Sequence, residues 1–225
     1  IQSIIRYFKK LNHPWHVLSE KVAIHINDTH PALCIPELMR ILMDEYEVSW
    51  EQAWDLTSKV MSYTNHTIMA EALQKWPTYL MKRSLPRMYQ IIKEIDRRYV
   101  VSMSGIHDAA LIERTRIIQG EDIHMANLAI IGSHSTNGVA KLHSDLLKAV
   151  VLHDFYTIYP ERFNNKTNGI AQRRWLQLSN EPLSRVLDET IGQSWRHEPA
   201  DLKLLMNYQN DPIVLEKLAK AKQQK

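Results

Sequence analysis

The sequence predicts an α/β fold with an excess of helix, because short apolar runs alternate with longer segments of helical periodicity. Three runs are short, apolar and bounded by turn-forming residues, as strands are: Val22–Ile26, Val60–Tyr63 and Asn127–Ile131. Each run leads through polar residues into, or towards, a helical pattern, so the order strand, loop, helix recurs along the chain.

Apolar stripes, capping residues and prolines mark the predicted helices. Pro36 suits the first turn of a helix that ends near residue 46, and Ser49 is a good cap for the next helix. Glu71–Tyr99 is predicted as helix with breaks at Pro77 and Pro86, since proline removes a backbone donor. Further helices are predicted near 109–113, after residue 138 with Val139, Leu142, Leu146 and Val150 buried, and near 172–179, 181–194 and 211–225.

Charge and composition exclude several classes of function. With 28 basic and 25 acidic side chains the formal charge is +3, which gives no indication of a nucleic-acid partner or a membrane surface. No apolar stretch approaches the roughly 20 residues that span a bilayer. Cys34 is the single cysteine, which excludes an internal disulfide and predicts a cytoplasmic protein. The chain starts inside one helical pattern and ends inside another, so we expect a fragment.

Three polar clusters carry the functional signal: Asn27–His30, Thr64–Thr67 and Gly132–Gly138. Ligands of open α/β sheets bind just beyond the carboxyl ends of the strands, where these clusters are expected to converge. Amides, imidazoles and hydroxyls match the paired donor and acceptor capacity of sugar hydroxyls. The clusters therefore predict a site for a polyol, although Asn, Asp and Thr also serve as ordinary turn formers and helix caps.

Other chemistries have weaker support in the sequence. Asp28 and Glu71 could form the acid and base of a glycoside hydrolase, but nothing in the sequence determines their separation. The eleven histidines show no metal-ligand spacing, so we predict no metal site. Gly132–Gly138 lacks the spacing of a dinucleotide or phosphate loop. Arg173 and Arg174 could meet an anion at a helix start, or form a solvated turn.

Longer motifs resemble the α-glucan phosphorylases, the family of glycogen, starch and maltodextrin phosphorylases. The matching segments run in the same order over roughly the whole chain: Ile26–Leu33, Ile35–Arg40, Tyr63–Thr67, Glu71–Leu73, Trp76–Pro77, His124–Leu128, Gly132–His134, Asn137–Ala140, His143–Ser144, Asn165–Ile170 and Arg173–Trp175. So many collinear matches are far more specific than one short motif.

The resemblance implies a helix-rich part of a two-lobed, Rossmann-like glycosyltransferase fold of the GT-B type. Residues 1–168 would form the second half of the first lobe, and residues 169–225 the helical start of the second lobe. The family cleaves terminal α-1,4-linked glucose from a glucan with inorganic phosphate and releases glucose 1-phosphate. The full-length protein would then be a transferase of carbohydrate metabolism, and the fragment alone would be inactive.

The resemblance also assigns substrate-binding residues. His66 and Asn168 would hold the 6-hydroxyl of the glucosyl unit. Asp28 and His30 would line the channel beside the anomeric carbon. No residue of this chain is assigned as catalytic. The partners implied are the α-1,4-glucan, inorganic phosphate, glucose 1-phosphate and a second copy of the full-length protein.

Pyridoxal 5'-phosphate is the cofactor that the resemblance implies, with its phosphate group acting as a proton shuttle. Val139 and Trp175 would pack near it, while its attachment lysine has no match in this chain. Four positions depart from the family pattern. Gln74 stands in place of the usual glutamate and removes a charge from the channel, and Ala70 stands in place of a usual proline. Ala171-Gln172 replaces the usual Thr-Pro before Arg173. The main alternative is a non-catalytic glucan-binding relative of the same fold.

Overall fold

A computed structural model describes residues 1–224, which form two compact units, Ile1–Asn168 and a second unit that begins at Gly169. The first unit contains both sheets, and the described part of the second contains helices and turns only. The protein is therefore a helix-rich α/β protein, as predicted. The assignment of residues 1–168 and 169–225 to two lobes of a larger protein stays a prediction.

The described residues form seven strands, numbered in chain order: β1 (Ile24–Asn27), β2 (Met61–Thr64), β3 (Lys75–Pro77), β4 (Ile118–Gln119), β5 (Asp122–His124), β6 (Ser135–Gly138) and β7 (Phe163–Asn165). The main sheet is parallel throughout and has the order β1-β2-β6-β7. The second sheet is antiparallel, with β5 between β3 and β4. All four strands of the main sheet thus end at the same edge.

The α-helices of the described residues are α1 (Gln2–Lys10), α2 (Leu18–Lys21), α3 (Cys34–Arg40), α4 (Trp50–Val60), α5 (Thr78–Ser84), α6 (Pro86–Met103), α7 (Ala109–Thr115), α8 (Met125–Ile131), α9 (Lys141–Leu146), α10 (His153–Ile158), α11 (Glu181–Ile191) and α12 (Pro212–Gln223). Ser49 caps α4 as predicted, because its Oγ accepts the amide of Gln52 at 3.3 Å. Pro36 lies within α3, and Pro86 opens α6.

The predicted third strand is wrong, because Asn127–Ile131 belongs to α8. A short apolar run without periodicity fits a buried helix as well as a buried strand. Every residue of α8 is buried, and the side-chain amide of Asn127 donates to the carbonyls of Thr115 and Arg116 at 3.2 and 2.8 Å. The third strand in sequence order within the main sheet is instead the polar segment Ser135–Gly138, which pairs with β2 and β7.

Two helix predictions also need correction. The predicted helix from residue 71 is limited to a single 3-10 turn at Ala70–Ala72, and the chain then leads into β3, which pairs with β5. The stripe predicted after residue 138 is not buried: Leu142 is 72% exposed and Val150 is 69% exposed. The predicted stripe starts at Val139, which lies before the first residue of α9. The wider π-helical turn Leu147–Val151 then shifts which side chains face the core.

One buried carboxylate joins α6 to the strand that follows α7. Asp96 is 3% exposed and accepts hydrogen bonds from the backbone amides of Ile117 and Ile118 at 2.7 and 3.1 Å. The guanidinium of Arg116 pairs with the same carboxylate at 2.7 Å. A buried charge needs such partners because desolvation otherwise costs several kcal/mol.

Cys34 is a half-buried thiol at the start of α3, with its Sγ 3.7 Å from the Sδ of Met61. Burial raises the pKa of Cys34 from 9.0 to about 11, since it disfavours the thiolate. Two pKa units lower the thiolate fraction at pH 8 about 100-fold, and the thiolate is the nucleophile. We therefore expect alkylation of Cys34 by iodoacetamide at pH 8 to be about 100-fold slower in the folded protein than after denaturation, measured by peptide mapping.

Candidate functional site at the strand ends

The carboxyl ends of the four parallel strands present a row of polar side chains. Asn27 on β1 is in register with Thr64 on β2, which is in register with Asn137 on β6 and then Asn164 on β7. The row crosses the whole sheet. Residues from all three polar clusters therefore meet at one edge of the sheet. The third cluster was expected to follow a strand, but part of it is strand β6 itself.

Backbone hydrogen bonds continue past the strand ends and hold the turns that follow. The amide of Asp28 donates to the carbonyl of Thr64 at 2.9 Å, and the amide of Asn65 donates to the carbonyl of Asn137 at 3.0 Å. The amide of Lys166 donates to the carbonyl of Gly138 at 3.1 Å. Each turn is thereby tied to the neighbouring strand, so the side chains just beyond the sheet have a rigid base.

A second layer of hydrogen bonds runs through the side chains of the row. The hydroxyl of Thr64 donates to Oδ1 of Asn137 at 2.6 Å, and His25 Nε2 contacts the same hydroxyl. Because that hydroxyl has one proton and gives it to Asn137, His25 is the donor in its contact with Thr64. The amide group of Asn137 in turn donates to the carbonyl of Gly138 at 2.9 Å. The side chains therefore link β1, β2 and β6 directly.

The predicted site residue His66 is exposed in the turn after β2. Its Nε2 lies 2.6 Å from Oδ1 of Asn27, across the gap between the two strand ends. The turn itself is shaped by Asn65, whose Oδ1 accepts the amide of Thr67 at 2.9 Å. Asn65 is buried and also donates to the hydroxyl of Tyr63 at 3.1 Å. Burial raises the pKa of Tyr63, and the Asp28 carboxylate adds to that effect, so this phenol stays protonated.

Asp28 and His30, the next two predicted site residues, occupy the turn after β1. Asp28 has a φ of 62°, in the left-handed region that Asp tolerates better than most residues. Its Oδ1 accepts the amide of Thr29 at 2.6 Å, so the ordinary turn-forming role weighed from the sequence does operate here. Asp28 remains half-exposed and His30 is exposed. Both side chains are accessible at the same edge as His66.

Asn168 and Val139 are adjacent, although 29 residues separate them in sequence. The amide of Asn168 donates to the carbonyl of Val139 at 3.0 Å, and the amide of Val139 donates to Nδ1 of His143 at 3.1 Å. Asn168 is exposed and Val139 is half-buried. The segment after β7 therefore returns to the strand ends and places Asn168 at the same edge of the sheet.

Gly138 permits a close approach of α9 to this edge. A Cβ atom at Gly138 would lie 2.5 Å from Oγ of Ser144 and 2.9 Å from its Cα. The Ser144 Oγ lies 2.9 Å from both Oδ1 of Asn165 and the carbonyl of Ala140, and its one proton is donated to one or the other, so it has little room to move.

We expect Gly138→Ala to lower the free energy of unfolding by about 2 kcal/mol, because the α9 backbone must shift to accept the methyl group. Gly169→Ala is the matched control, since its Cβ would meet nothing within 4 Å. That variant should stay within about 0.5 kcal/mol of the wild type. Urea unfolding checks both values, and equal effects of the two substitutions would contradict the close-packing argument.

Trp175 lies in the second unit. It belongs to the helical turn Arg173–Leu178, where its amide donates to the carbonyl of Ala171 at 3.0 Å. Its indole is 61% exposed. Within this unit, Asn180 caps α11 and Trp195 is fully buried, with its Nε1 donating to Asp188 at 3.2 Å.

The matches to known proteins agree with this architecture. A family model described as carbohydrate phosphorylase matches residues 1–225. The chain belongs to the carbohydrate phosphorylase family. It is 48% identical over 227 residues to a glycogen phosphorylase of Bacillus subtilis strain 168. Over 237 residues it is 43% identical to the muscle form of mouse glycogen phosphorylase and 42% identical to the brain form from Pongo abelii. Each comparison covers 100% of this chain and 28% of the relative.

Gln74, which departs from the motif pattern expected from the resemblance, makes two specific contacts. The side-chain carbonyl of Gln74 accepts the hydroxyl of Thr29 at 3.1 Å, and its backbone carbonyl accepts the amide of Met125 at 3.1 Å. Thr29 is fully buried beside Asp28. Gln74 therefore holds the turn that carries Asp28 and His30 with a neutral acceptor, where a glutamate would bring a charge.

Two features of this strand-end site were not predicted from the sequence. His25 was assigned only to a buried strand, and the link from Thr29 to Gln74 was not foreseen. His25 and Asn27 are two residues apart in β1, and the period of two puts both on one face of the strand. That alternation is the signal that could have identified His25.

The sequence also raised an acid–base pair of Asp28 and Glu71, and the question of a metal site. Glu71 is exposed in the turn Ala70–Ala72, and the carboxylate of Asp28 is engaged by the Thr29 amide. Over residues 1–224 no group of three or more His, Cys, Asp and Glu side chains could hold a metal ion. None of the helices in that part of the chain combines the length and apolar character that crossing a membrane requires.

Proposed function

We propose that the full-length protein cleaves terminal α-1,4-linked glucose from a glucan with inorganic phosphate and releases glucose 1-phosphate. The observation that carries the proposal is the family match over the whole chain, together with a strand-end site built from the motifs that carry the resemblance. The relatives named glycogen phosphorylase support a glucan as substrate. The chain spans 28% of their length, so the activity is proposed for the whole protein.

The site residues have the roles that the resemblance implies. His66 and Asn168 hold the 6-hydroxyl of the terminal glucosyl unit, and both side chains are exposed at the edge of the main sheet. Asp28 and His30 line the channel beside the anomeric carbon. A half-exposed carboxylate such as Asp28 favours the positive charge that develops on the sugar ring as the glycosidic bond breaks.

Proton transfer in this proposal does not need a pair of carboxylic acids. Phosphate titrates near neutral pH and can donate and accept protons at the leaving oxygen. The chain contributes orientation: backbone bonds from Asp28 and Asn65 to the neighbouring strands keep the turns in place while the glucosyl unit reacts. Holding the reacting groups in a fixed geometry is a large part of catalysis by such sites.

Pyridoxal 5'-phosphate is the cofactor proposed for the full-length protein. Val139, half-buried at the end of β6, and Trp175, with an exposed indole in the second unit, offer apolar surfaces that fit an aromatic ring. Neither side chain can hold a phosphate or form a covalent bond to the aldehyde, so the attachment lysine and the phosphate ligands are proposed to lie in other parts of the protein. When bound, the cofactor supplies a phosphate group that exchanges protons with the substrate phosphate.

The proposed partners are the α-1,4-glucan, inorganic phosphate, glucose 1-phosphate and a second copy of the full-length protein. Cytoplasmic location is proposed from the single cysteine and the family. The alternative is a glucan-binding relative without turnover. It is kept because every site residue assigned to this chain has a binding role and none has a catalytic role.

The full-length product of the gene tests the proposal directly. It is mixed with maltodextrin and inorganic phosphate, with and without pyridoxal phosphate, and glucose 1-phosphate is measured. Product that depends on phosphate and on the cofactor supports the phosphorylase. Free glucose formed without phosphate would point to a hydrolase, the alternative in which Asp28 and Glu71 are the acid and base, and glucan binding without product would favour the non-catalytic relative.

A further inference from the structure

The contact between His66 and Asn27 determines which ring nitrogen is free. Nε2 of His66 lies 2.6 Å from Oδ1 of Asn27, and an amide oxygen can only accept a hydrogen bond. Nε2 therefore carries the proton and donates it to Asn27. In the neutral imidazole the other nitrogen, Nδ1, is then a bare acceptor.

Asn27 is the better-anchored member of this pair. It is the last residue of β1, it is in register with Thr64, and the next amide, that of Asp28, continues the backbone bonding to β2. His66 lies beyond the end of β2, in a turn held by the side chain of Asn65. The sheet therefore fixes Asn27, and Asn27 orients the ring of His66.

We propose that Asn27 is a positioning residue for sugar recognition: it holds His66 so that Nδ1 accepts a hydrogen bond from the 6-hydroxyl of the terminal glucosyl unit. The inference rests on the sugar-binding role in the proposed function but does not require turnover. Its consequence is selectivity, because a sugar without the 6-hydroxyl leaves Nδ1 without a donor in the bound state. A site built around a substrate hydroxyl rejects an analogue that lacks it.

The experiment compares glucose with 6-deoxyglucose, which differ only at that hydroxyl. Dissociation constants of both sugars are measured by calorimetry on the full-length protein, as wild type and as Asn27→Ala, Asn27→Asp and Asn207→Ala. Aspartate at position 27 keeps the acceptor, whereas alanine removes it. Asn207 is exposed in the second unit and serves as the surface control.

We expect the wild type to bind glucose about 10- to 100-fold more tightly than 6-deoxyglucose, and Asn27→Ala to reduce that ratio to about 3 or less. Asn27→Asp and Asn207→Ala should keep the wild-type ratio, even if the added charge of aspartate weakens the binding of both sugars by the same factor. If Asn27 had only a structural role, Asn27→Ala would weaken the binding of both sugars equally and leave the ratio unchanged.

Three results would overturn the inference: a wild type that does not distinguish the sugars, an Asn27→Ala protein that keeps the ratio, or an Asn27→Asp protein that loses it. The last result would show that an acceptor oxygen at position 27 does not by itself maintain the ratio. Since the readout is binding, a protein that discriminates between the sugars but forms no glucose 1-phosphate would refute the proposed function and leave the role of Asn27 standing.

Discussion

Replacing His66 with alanine in the full-length protein is expected to lower kcat/KM for glucose 1-phosphate in glucan synthesis about 100-fold. The imidazole is exposed at the strand ends and contacts Asn27. In the proposed function its loss removes both a hydrogen bond to the sugar and the constraint on the position of the glucosyl ring. Because the ring must be oriented for reaction, we expect kcat to fall as well as substrate affinity.

A matched histidine provides the control for this expectation. His16 is exposed in the same unit and outside the strand-end row, so His16→Ala should keep kcat/KM within about 2-fold of the wild type. Initial rates of phosphate release from glucose 1-phosphate in the presence of maltodextrin measure both variants. If His66→Ala and His16→Ala have equal activity, His66 does not bind the reacting sugar.

Replacing Asp96 with alanine is expected to lower the free energy of unfolding by about 3–5 kcal/mol. The substitution leaves the guanidinium of Arg116 without its buried partner and removes the acceptor of the Ile117 and Ile118 amides. Water reaches the Ile117 amide poorly, since Asp96 is 3% exposed and Ile117 is fully buried. The side chain of Arg116 is 31% exposed and keeps Glu113 at 3.3 Å, so the larger loss falls on the backbone amides. Unpaired buried groups are far more costly than the net gain of an ordinary hydrogen bond.

Asp44 offers a control with the same chemistry at the surface. It pairs with Arg87 at 2.6 Å, but the two side chains are 33% and 46% exposed, so water replaces the lost partner. Asp44→Ala should lower the free energy of unfolding by about 0.5 kcal/mol or less. Urea unfolding gives the two free energies, and hydrogen exchange at Ile117 and Ile118 should accelerate only in Asp96→Ala. Similar losses in both variants would refute the burial argument.

Local chemistry made several elements predictable from the sequence. Ser49 caps α4 because a serine ahead of a helical pattern accepts a free backbone amide, whatever the rest of the chain does. Pro86 separates α5 from α6 because a proline cannot continue the preceding helix but suits the first turn of the next. The buried face of α6, with Met88, Ile91 and Ile95 among its residues, follows from the 3.6-residue period.

The strand-end clusters were also visible in the sequence, since Asn27–His30 and Thr64–Thr67 directly follow β-type apolar runs. Strand pairing was not. Ser135–Gly138 has no apolar signal, and it is a strand because β2 and β7 supply its hydrogen-bonding partners on both sides. The apolar run Asn127–Ile131 is a helix that is buried on every side, and an unbroken apolar run has no period that would distinguish a buried helix from a buried strand.

The sequence by itself thus determined the α/β class, the caps, the proline breaks and the motifs of the carbohydrate phosphorylase family, since each depends on residues close together in the chain. Tertiary structure alone decided which side chains meet. The pairing of His66 with Asn27 spans 39 residues and that of Thr64 with Asn137 spans 73. Such contacts depend on strand order and register, which long-range backbone hydrogen bonds and burial select, and no local pattern of residues encodes them.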